Sequence, residues 1–401
     1  MAAVAVAALA LPAPVAVAAV LGLAAAVTVD ALMARNRVEV LRALPSVLSR
    51  GVPSPFRIEA TGSASRIRVR QPALPDLTFQ PQEGEHEVSG TVLAVRRGRH
   101  SIPGVASLTE GPLGLARWFQ QAAEPQDVLV YPDLPAARRI AVAVREGRFG
   151  EPGRITRGPL GLGTQFESIR DYLPDDDFRQ VNWRATSRMG RPMSNQYRVE
   201  QDRDVVCVID TGRLMGAPLD GSKTRLDAAM DATVAMALTA DVVGDRCGAV
   251  AFDSAIRRNL KPHRGGGQAV VRSLFDLEPT TIDSDYELAF RTIGGGKRSF
   301  VLVFTDLIDE AAATSLLEGI PILARRHVVV VAGVIEDELV RLSEGAAEDP
   351  EARVARRVLE GRRSVIKLMQ RAGAPVIEAP AHRFSAACVG AYLRAKNRGR
   401  L

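Results

Sequence analysis

Two aspartates close apolar runs in the second half of the chain. Asp210 ends Asp-Val-Val-Cys-Val-Ile-Asp (204–210), and Asp306 ends Ser-Phe-Val-Leu-Val-Phe-Thr-Asp (299–306). Carboxylates at neighbouring strand ends, with hydroxyl side chains nearby, form a hard oxygen cage of the kind that suits magnesium. Other chemistry is thin. The five histidines (His86, His100, His263, His327, His382) never stand at metal-ligand spacing. Neither a Gly-x-Ser-x-Gly elbow nor a Gly-x4-Gly-Lys-Ser/Thr phosphate loop occurs. Gly265-Gly266-Gly267 and Gly294-Gly295-Gly296-Lys297 read as loops, because the second precedes a strand whereas a phosphate cradle leads from strand to helix.

The elements that must position the two acids alternate. Strand-like runs at Asp204 to Asp210, Arg246 to Asp253, Ser299 to Asp306, His327 to Val334 and Ala374 to Glu378 are interleaved with helical spacing over Thr224 to Val243, Ala311 to Ala324 and Phe384 to Arg394. Such alternation predicts a mainly parallel, doubly wound α/β sheet with helices on both faces. Ligands on these sheets bind at the carboxyl ends of strands, where Asp210 and Asp306 stand.

Upstream the period changes. From about Phe56 to Val144, runs such as Arg66-Ile67-Arg68-Val69-Arg70 and Val88 to Val95 alternate apolar with polar residues between frequent Pro and Gly, which predicts a small β-sandwich. Arg96-Arg97-Gly98-Arg99-His100 reads as a hairpin turn flanked by solvated arginines. Arg145 to Gly163 is rich in Gly and Pro and reads as a linker.

The amino-terminal stretch carries no charge before Asp30. Pro12 and Pro14 divide it into a short apolar run and a run from Val15 to Met33, 19 residues long, close to the roughly 20 that span a bilayer. The short run is too short to span alone, so the stretch predicts either one span or part of a helical hairpin whose start lies upstream. A secretory signal peptide is the rival reading, opposed by the missing basic lead and the length of the apolar stretch. Arg35, Arg37 and Arg42 follow, so the positive-inside rule places the rest of the chain on the cytoplasmic side of a membrane.

Composition agrees with a globular chain near lipid. Hydrophobic residues make up 46%, charged residues 24%, and the net charge is +6. The arginines are dispersed among acids, which argues against nucleic-acid binding. Membrane lipid suits the basic excess. Three cysteines (Cys207, Cys247, Cys388) provide neither a disulfide framework nor zinc spacing and suit a reducing compartment.

One stretch mixes charge with aromatics. Gly163 to Arg188 interleaves Glu167, Asp171, Asp175, Asp176 and Asp177 with Arg170, Arg179, Arg184 and Arg188, among Phe166, Ile169, Tyr172, Leu173, Phe178, Val181 and Trp183. That mixture suits a segment packed on one side and ion-paired on the other, either an interdomain strap or a partner-docking surface. Its residues Gly163, Phe166, Arg170, Tyr172, Pro174, Asp176, Asp177, Arg179, Asn182 and Trp183 resemble the signature of the bacterial membrane family called domain of unknown function 58. Asp175 departs from that signature by replacing its usual glycine, and a positive φ there would strain it. Gly111-Pro112-Leu113-Gly114-Leu115 and Tyr131-Pro132-Asp133-Leu134 resemble further landmarks of the family.

The second half is similar to the von Willebrand factor A fold, whose metal-ion-dependent adhesion site uses an Asp-x-Ser-x-Ser turn, a threonine and a third-loop aspartate. Mapped residue by residue, Asp210 matches, Gly212 and Leu214 replace both serines, Ser284 falls nearest the threonine, and Asp306 matches the third-loop acid. Asp309 is a spare carboxylate beside it. The resemblance therefore implies a degenerate metal site of Asp210, Ser284 and Asp306, with magnesium as the candidate ion. It leaves open that Arg213 folds inward to pair with Asp210 or Asp306 in the cation's place.

The whole predicts four segments: a membrane anchor over 1–34, a β-sandwich-like domain over 35–145, a linker and signature over 146–202, and a von Willebrand factor A-like domain over 203–397. The resemblance implies a membrane-anchored interaction module working with a MoxR-type AAA+ ATPase in assembly or maturation of other proteins. Arg170, Tyr172, Asp176, Asp177, Arg179, Asn182 and Trp183 are its interaction residues. The alternatives are a metal-dependent hydrolase on Asp210 and Asp306, with His263 the only histidine in a neighbouring loop, and an inert structural factor of the cell envelope.

Overall fold

In the segment Arg66–Arg70, Ile67 and Val69 are buried and the three arginines are exposed, so the alternation read from the sequence is the alternation of a half-buried strand. The computed structural model describes residues 12–35, 37–62, 66–149, 165–173, 176, 178–198, 202–221, 223–294, 296–307 and 310–397. The chain divides into two units, Met1–Tyr131 and Pro132–Leu401.

The first unit begins with helix α1 (Ala13–Ala34), opened by a proline in its first turn. It is long and apolar enough to cross a membrane. Eleven strands follow: β1 (Glu39–Ala43), β2 (Val47–Ser49), β3 (Ser54–Thr61), β4 (Arg66–Arg70), β5 (Leu77–Gln80), β6 (Glu83–Glu85), β7 (Glu87–Ala94), β8 (Gly98–Ile102), β9 (Ala106–Glu110), β10 (Arg117–Gln121) and β11 (Gln126–Tyr131). They form three small sheets, ordered β1-β3-β7-β5, β10-β9-β4-β6 and β2-β11-β8. A two-layer sandwich is thus too simple a description, because β2 pairs parallel to β11 and closes a third sheet. One core, with Phe56, Ile58, Ile67, Leu77, Phe79 and Val128 among its members, joins them.

The second unit starts earlier than the sequence places it. Helix α2 (Leu134–Arg145) is capped by Asp133, which accepts from the amide of Ala136 at 2.9 Å, and it buries Ala137, Ala141 and Val144. Helix α2 packs against a later helix of this unit. The hairpin β12 (Gln165–Asp171) and β13 (Met193–Arg198) encloses the short helix α3 (Trp183–Met189).

The main sheet then assembles from β14 (Asp204–Asp210), β17 (Arg246–Phe252), β18 (Ile256–His263), β19 (Ser299–Phe304), β20 (Val328–Ile335) and β21 (Val376–Pro380), while β15 (Pro218–Asp220) and β16 (Lys223–Thr224) form a separate pair. The order is β18-β17-β14-β19-β20-β21, parallel throughout except for β18 at one edge. Val206, Val208, Val301 and Val303 face one apolar layer with α6 (Tyr286–Ile293), α7 (Glu310–Ala324) and α9 (Pro350–Arg371). On the other face Phe300 meets Tyr392 and Phe304 meets Phe384, both from α10 (Ala381–Asn397). Burial on both faces explains why these strands read as unbroken apolar runs.

Helix α4 (Arg225–Val243) covers the same face and is buried almost all round. It is the helix against which α2 packs, and its many alanines permit the close approach. A capping box starts it: Thr224 N–H donates to Asp227 at 2.9 Å and Asp227 N–H donates to Thr224 at 3.2 Å. That box places Arg225 on the first helical residue. The remaining helices are α5 (Gly266–Leu274) and α8 (Asp337–Ser343).

Candidate functional site

The carboxyl edge of the main sheet does bring Asp210 and Ser284 together. The Ser284 hydroxyl donates to Asp210 Oδ1 at 2.5 Å, and the Gly212 amide donates to the same oxygen at 2.8 Å. Asp210 Oδ2 accepts from the Tyr286 and Thr305 hydroxyls, each at 2.8 Å. Burial first, and the Asp210 charge second, push the Tyr286 phenol well above its ordinary pKa. It is therefore a fixed proton donor to Asp210, not a base.

Asp306 has different company. Its Oδ1 accepts from Arg225 Nη1 and Arg362 Nη1, both at 2.9 Å, and from the Leu307 amide at 3.0 Å. Arg225 reaches Glu336 as well; Arg362 binds Glu378 at 2.9 Å and the Val334 carbonyl at 3.0 Å. Burial pulls the Arg362 pKa down, but the charges of Asp306 and Glu378 outweigh it and leave the group above its ordinary value. Three carboxylates and two guanidiniums form one network, and breaking such a buried network is costly.

A divalent cation does not fit this edge. Two guanidiniums already neutralise Asp306, and both oxygens of Asp210 are occupied by donors. A Cβ on Gly212 would meet Ser284 Oγ at 2.1 Å, so a serine of the adhesion-site turn would clash here. Among the described residues no group of three or more His, Cys, Asp or Glu side chains is placed to hold a metal. One buried oxygen, Asp306 Oδ2, has no hydrogen-bond partner among the described residues. It lies beside the two arginines, where a cation would be repelled.

Two sequence expectations are corrected here. Arg213 does not fold inward; its guanidinium is exposed and pairs with Asp283 at 3.0 Å. The arginines that pair with Asp306 come from α4 and α9. His263 pairs in register with Cys247 at the start of β17, whereas Asp210 pairs with Phe252 at its end. It therefore stands at the opposite edge of the sheet from the acids and offers them no base. Asp309 lies outside the described residues.

Tyr286, Thr305, Arg225 and Arg362 were missed by sequence reasoning. Arg362 left a signal: it falls within the buried stripe Ala352, Ala355, Leu359, Arg362, Val365, Met369 of α9. A charge on an apolar stripe requires a buried partner. Thr305 sits directly before Asp306 at the strand end, and Tyr286 lies in the first turn after Ser284.

The signature segment is built in the reverse sense. Its polar residues turn inward to one another. Arg170 grips Asp176 with both arms, at 2.8 and 2.5 Å, and Asp176 also accepts from the Leu173 amide at 2.9 Å. The Tyr172 hydroxyl donates to the Asp176 carbonyl at 3.0 Å. Asn182 caps α3 through the Ala185 amide at 2.9 Å and ties β13 through Asn195 at 2.7 Å. Gly190 ends α3 with φ +68, a left-handed turn that favours glycine.

The apolar residues of the segment face out. Phe178 and Trp183 make an edge-to-face pair with centroids 5.5 Å apart, yet they are 67% and 62% exposed. Leu173, Met189 and Ile169 are exposed with them. Here the Arg170–Asp176 and Asn182–Asn195 contacts lie inward while these five apolar side chains point outward. Arg179 lies in the turn Phe178–Gln180, and Gly163, Pro174, Asp175 and Asp177 lie outside the described residues.

No curated protein matches the sequence. Among solved structures, a CARDB domain from Pyrococcus furiosus is 10% identical, covering 24% of this chain and 94% of that one with a TM-score of 0.16. A GH5 xyloglucanase from Bacteroides ovatus, also 10% identical, covers 85% of this chain and 65% of that one with a TM-score of 0.16. At such scores neither likeness bears on fold or function. Residues 168–375, just over half of the chain, match the family described as "Protein of unknown function DUF58", and the chain belongs to that family.

Proposed function

We infer that this protein is a membrane-anchored protein-interaction module, and that its partner docks on the hairpin of β12, α3 and β13. One observation carries this reading: an exposed aromatic pair, Phe178 and Trp183, displayed on a scaffold whose polar groups satisfy one another. Aromatic anchors held rigidly lose little entropy on binding and dominate interface energetics. The second unit is read as a von Willebrand factor A-like sheet whose adhesion site has been taken over by arginines, so that recognition has moved to the hairpin. By resemblance, the partner is a MoxR-type AAA+ ATPase acting in assembly or maturation of other proteins. Helix α1 is the anchor, and the arginines after it favour a cytoplasmic placement.

Affinity capture of the full-length chain from detergent-solubilised membranes, with ATP and magnesium, tests the reading. The wild type is expected to retain an AAA+ ATPase in stoichiometric amount. A Phe178→Ala, Trp183→Ala variant is expected to lose it by more than about tenfold, as for anchors of ~2 kcal/mol or more, with the unfolding midpoint unchanged. Equal recovery with both proteins sinks the hairpin as the docking surface.

A further inference from the structure

Asp30 is a charged residue inside the apolar window Pro14–Ala34 of α1, and it is 0% exposed. A carboxylate within a bilayer span costs roughly 2.5–3.5 kcal/mol or more unless it is satisfied. Here three amides surround it: Leu113 at 2.7 Å, Leu115 at 2.7 Å and Ala116 at 2.8 Å. A Cβ on Gly111 would meet the carboxylate at 2.3 Å, so only glycine allows the loop to close this tightly. One turn later the Thr109 hydroxyl donates to the Ala34 carbonyl at 2.5 Å, and the Arg35 guanidinium lies 5.3 Å from the Trp118 ring centre.

The loop therefore has no freedom to choose its own depth. Asp30 precedes Ala34 by four residues, about 6 Å along a helix, so the loop sits level with the last turn of the apolar window. Its side chains Leu113 and Leu115, together with Trp118, are exposed, Leu113 by 61%. In water three exposed apolar groups at one end of an apolar helix are unfavourable. Level with a bilayer surface they are favoured, with Trp at the headgroup boundary and Arg35 reaching outward to phosphates. We propose that Leu113, Leu115 and Trp118 form a lipid-contacting rim that enters the bilayer interface beside α1, with Arg35 and Arg37 against anionic headgroups. This rests on the reading of α1 as a membrane anchor. The Asp30 clasp makes helix and rim one rigid wedge.

The chain has two tryptophans, Trp118 and Trp183, which makes the test direct. Full-length Trp183→Phe protein, with Trp118 as its sole tryptophan, is reconstituted into phosphatidylcholine and phosphatidylglycerol vesicles with acyl chains brominated near the headgroup. The same protein in unbrominated vesicles of that composition is the reference, and alkaline extraction reports whether α1 is inserted. The expected result is retention through extraction and loss of most Trp118 emission. Retention with Trp118 emission unchanged overturns the rim and leaves the anchor standing. Release by alkali overturns both.

Discussion

The carboxyl edge of the main sheet and the signature hairpin use the same residue types in opposite ways. At the sheet edge Asp210 and Asp306 are buried; hydroxyls and an amide meet Asp210, and the arginines that meet Asp306 arrive from distant helices. In the hairpin Arg170 and Asp176 are six residues apart, and their pairing leaves Phe178 and Trp183 in solvent. The polar contacts of Asp210 and Asp306 are buried, which suits an element that holds the sheet together. The polar contacts of the hairpin stiffen a surface, which suits an element that meets something else. On the proposed function, the exposed aromatics on their stiff frame are the working surface and the buried acids are not.

The comparison can be broken most severely at Arg362. Replacing it with leucine strips Asp306 and Glu378 of a buried partner, and an unfolding free-energy loss of about 3–5 kcal/mol is expected from urea titration of the full chain in detergent. A loss below about 1 kcal/mol would mean that the edge is not structural and would return it to consideration as a site.

A smaller effect is expected from acid. The Arg170 hydrogen bond, then the Leu173 amide, hold the Asp176 pKa below its ordinary value. A carboxyl lowered on folding contributes stability that is complete above the unfolded pKa, about 3.9, and is lost as pH falls through the folded one. Emission from Trp183 in the Trp118→Phe protein should therefore change at acid pH below the ordinary aspartate range. Adding Arg170→Met should raise that midpoint. An unmoved midpoint would detach the pairing from the order of the hairpin.

The smallest expected effect is that of magnesium. Millimolar Mg2+ should leave the unfolding midpoint where it is, whereas a ligand present at 100 times its Kd would add about 2.7 kcal/mol. A magnesium-dependent rise that disappears in Asp210→Asn would show that the edge can still open to a cation.

Much of the frame was legible beforehand. Asp204–Asp210 and Ser299–Phe304 are strands as read, and Thr224 is the cap of a helix that runs to Val243 as its spacing predicted. Periodicity is a local property, and burial on one or both faces writes it directly into neighbouring residues. The mapping put Asp210 and Ser284 in one metal site, whereas the structure joins them by a direct hydrogen bond. What escaped was the identity of the charges around Asp306. Arg225 and Arg362 lie 81 and 56 residues from it, and no pattern over a dozen residues registers such a pair. His263 was misplaced because the edge strand β18 runs antiparallel, which sends its end to the wrong side of the sheet.

The sequence by itself determined the apolar helix, the alternation of the five parallel strands with helices, and the family to which the signature belongs, because each is carried by residue type and short spacing. Only the tertiary structure decided which carboxylates are locked by arginine, which aromatics face solvent and which loop clasps Asp30. Those outcomes depend on contacts between residues far apart in the chain, where hydrogen-bond geometry and desolvation set the choice.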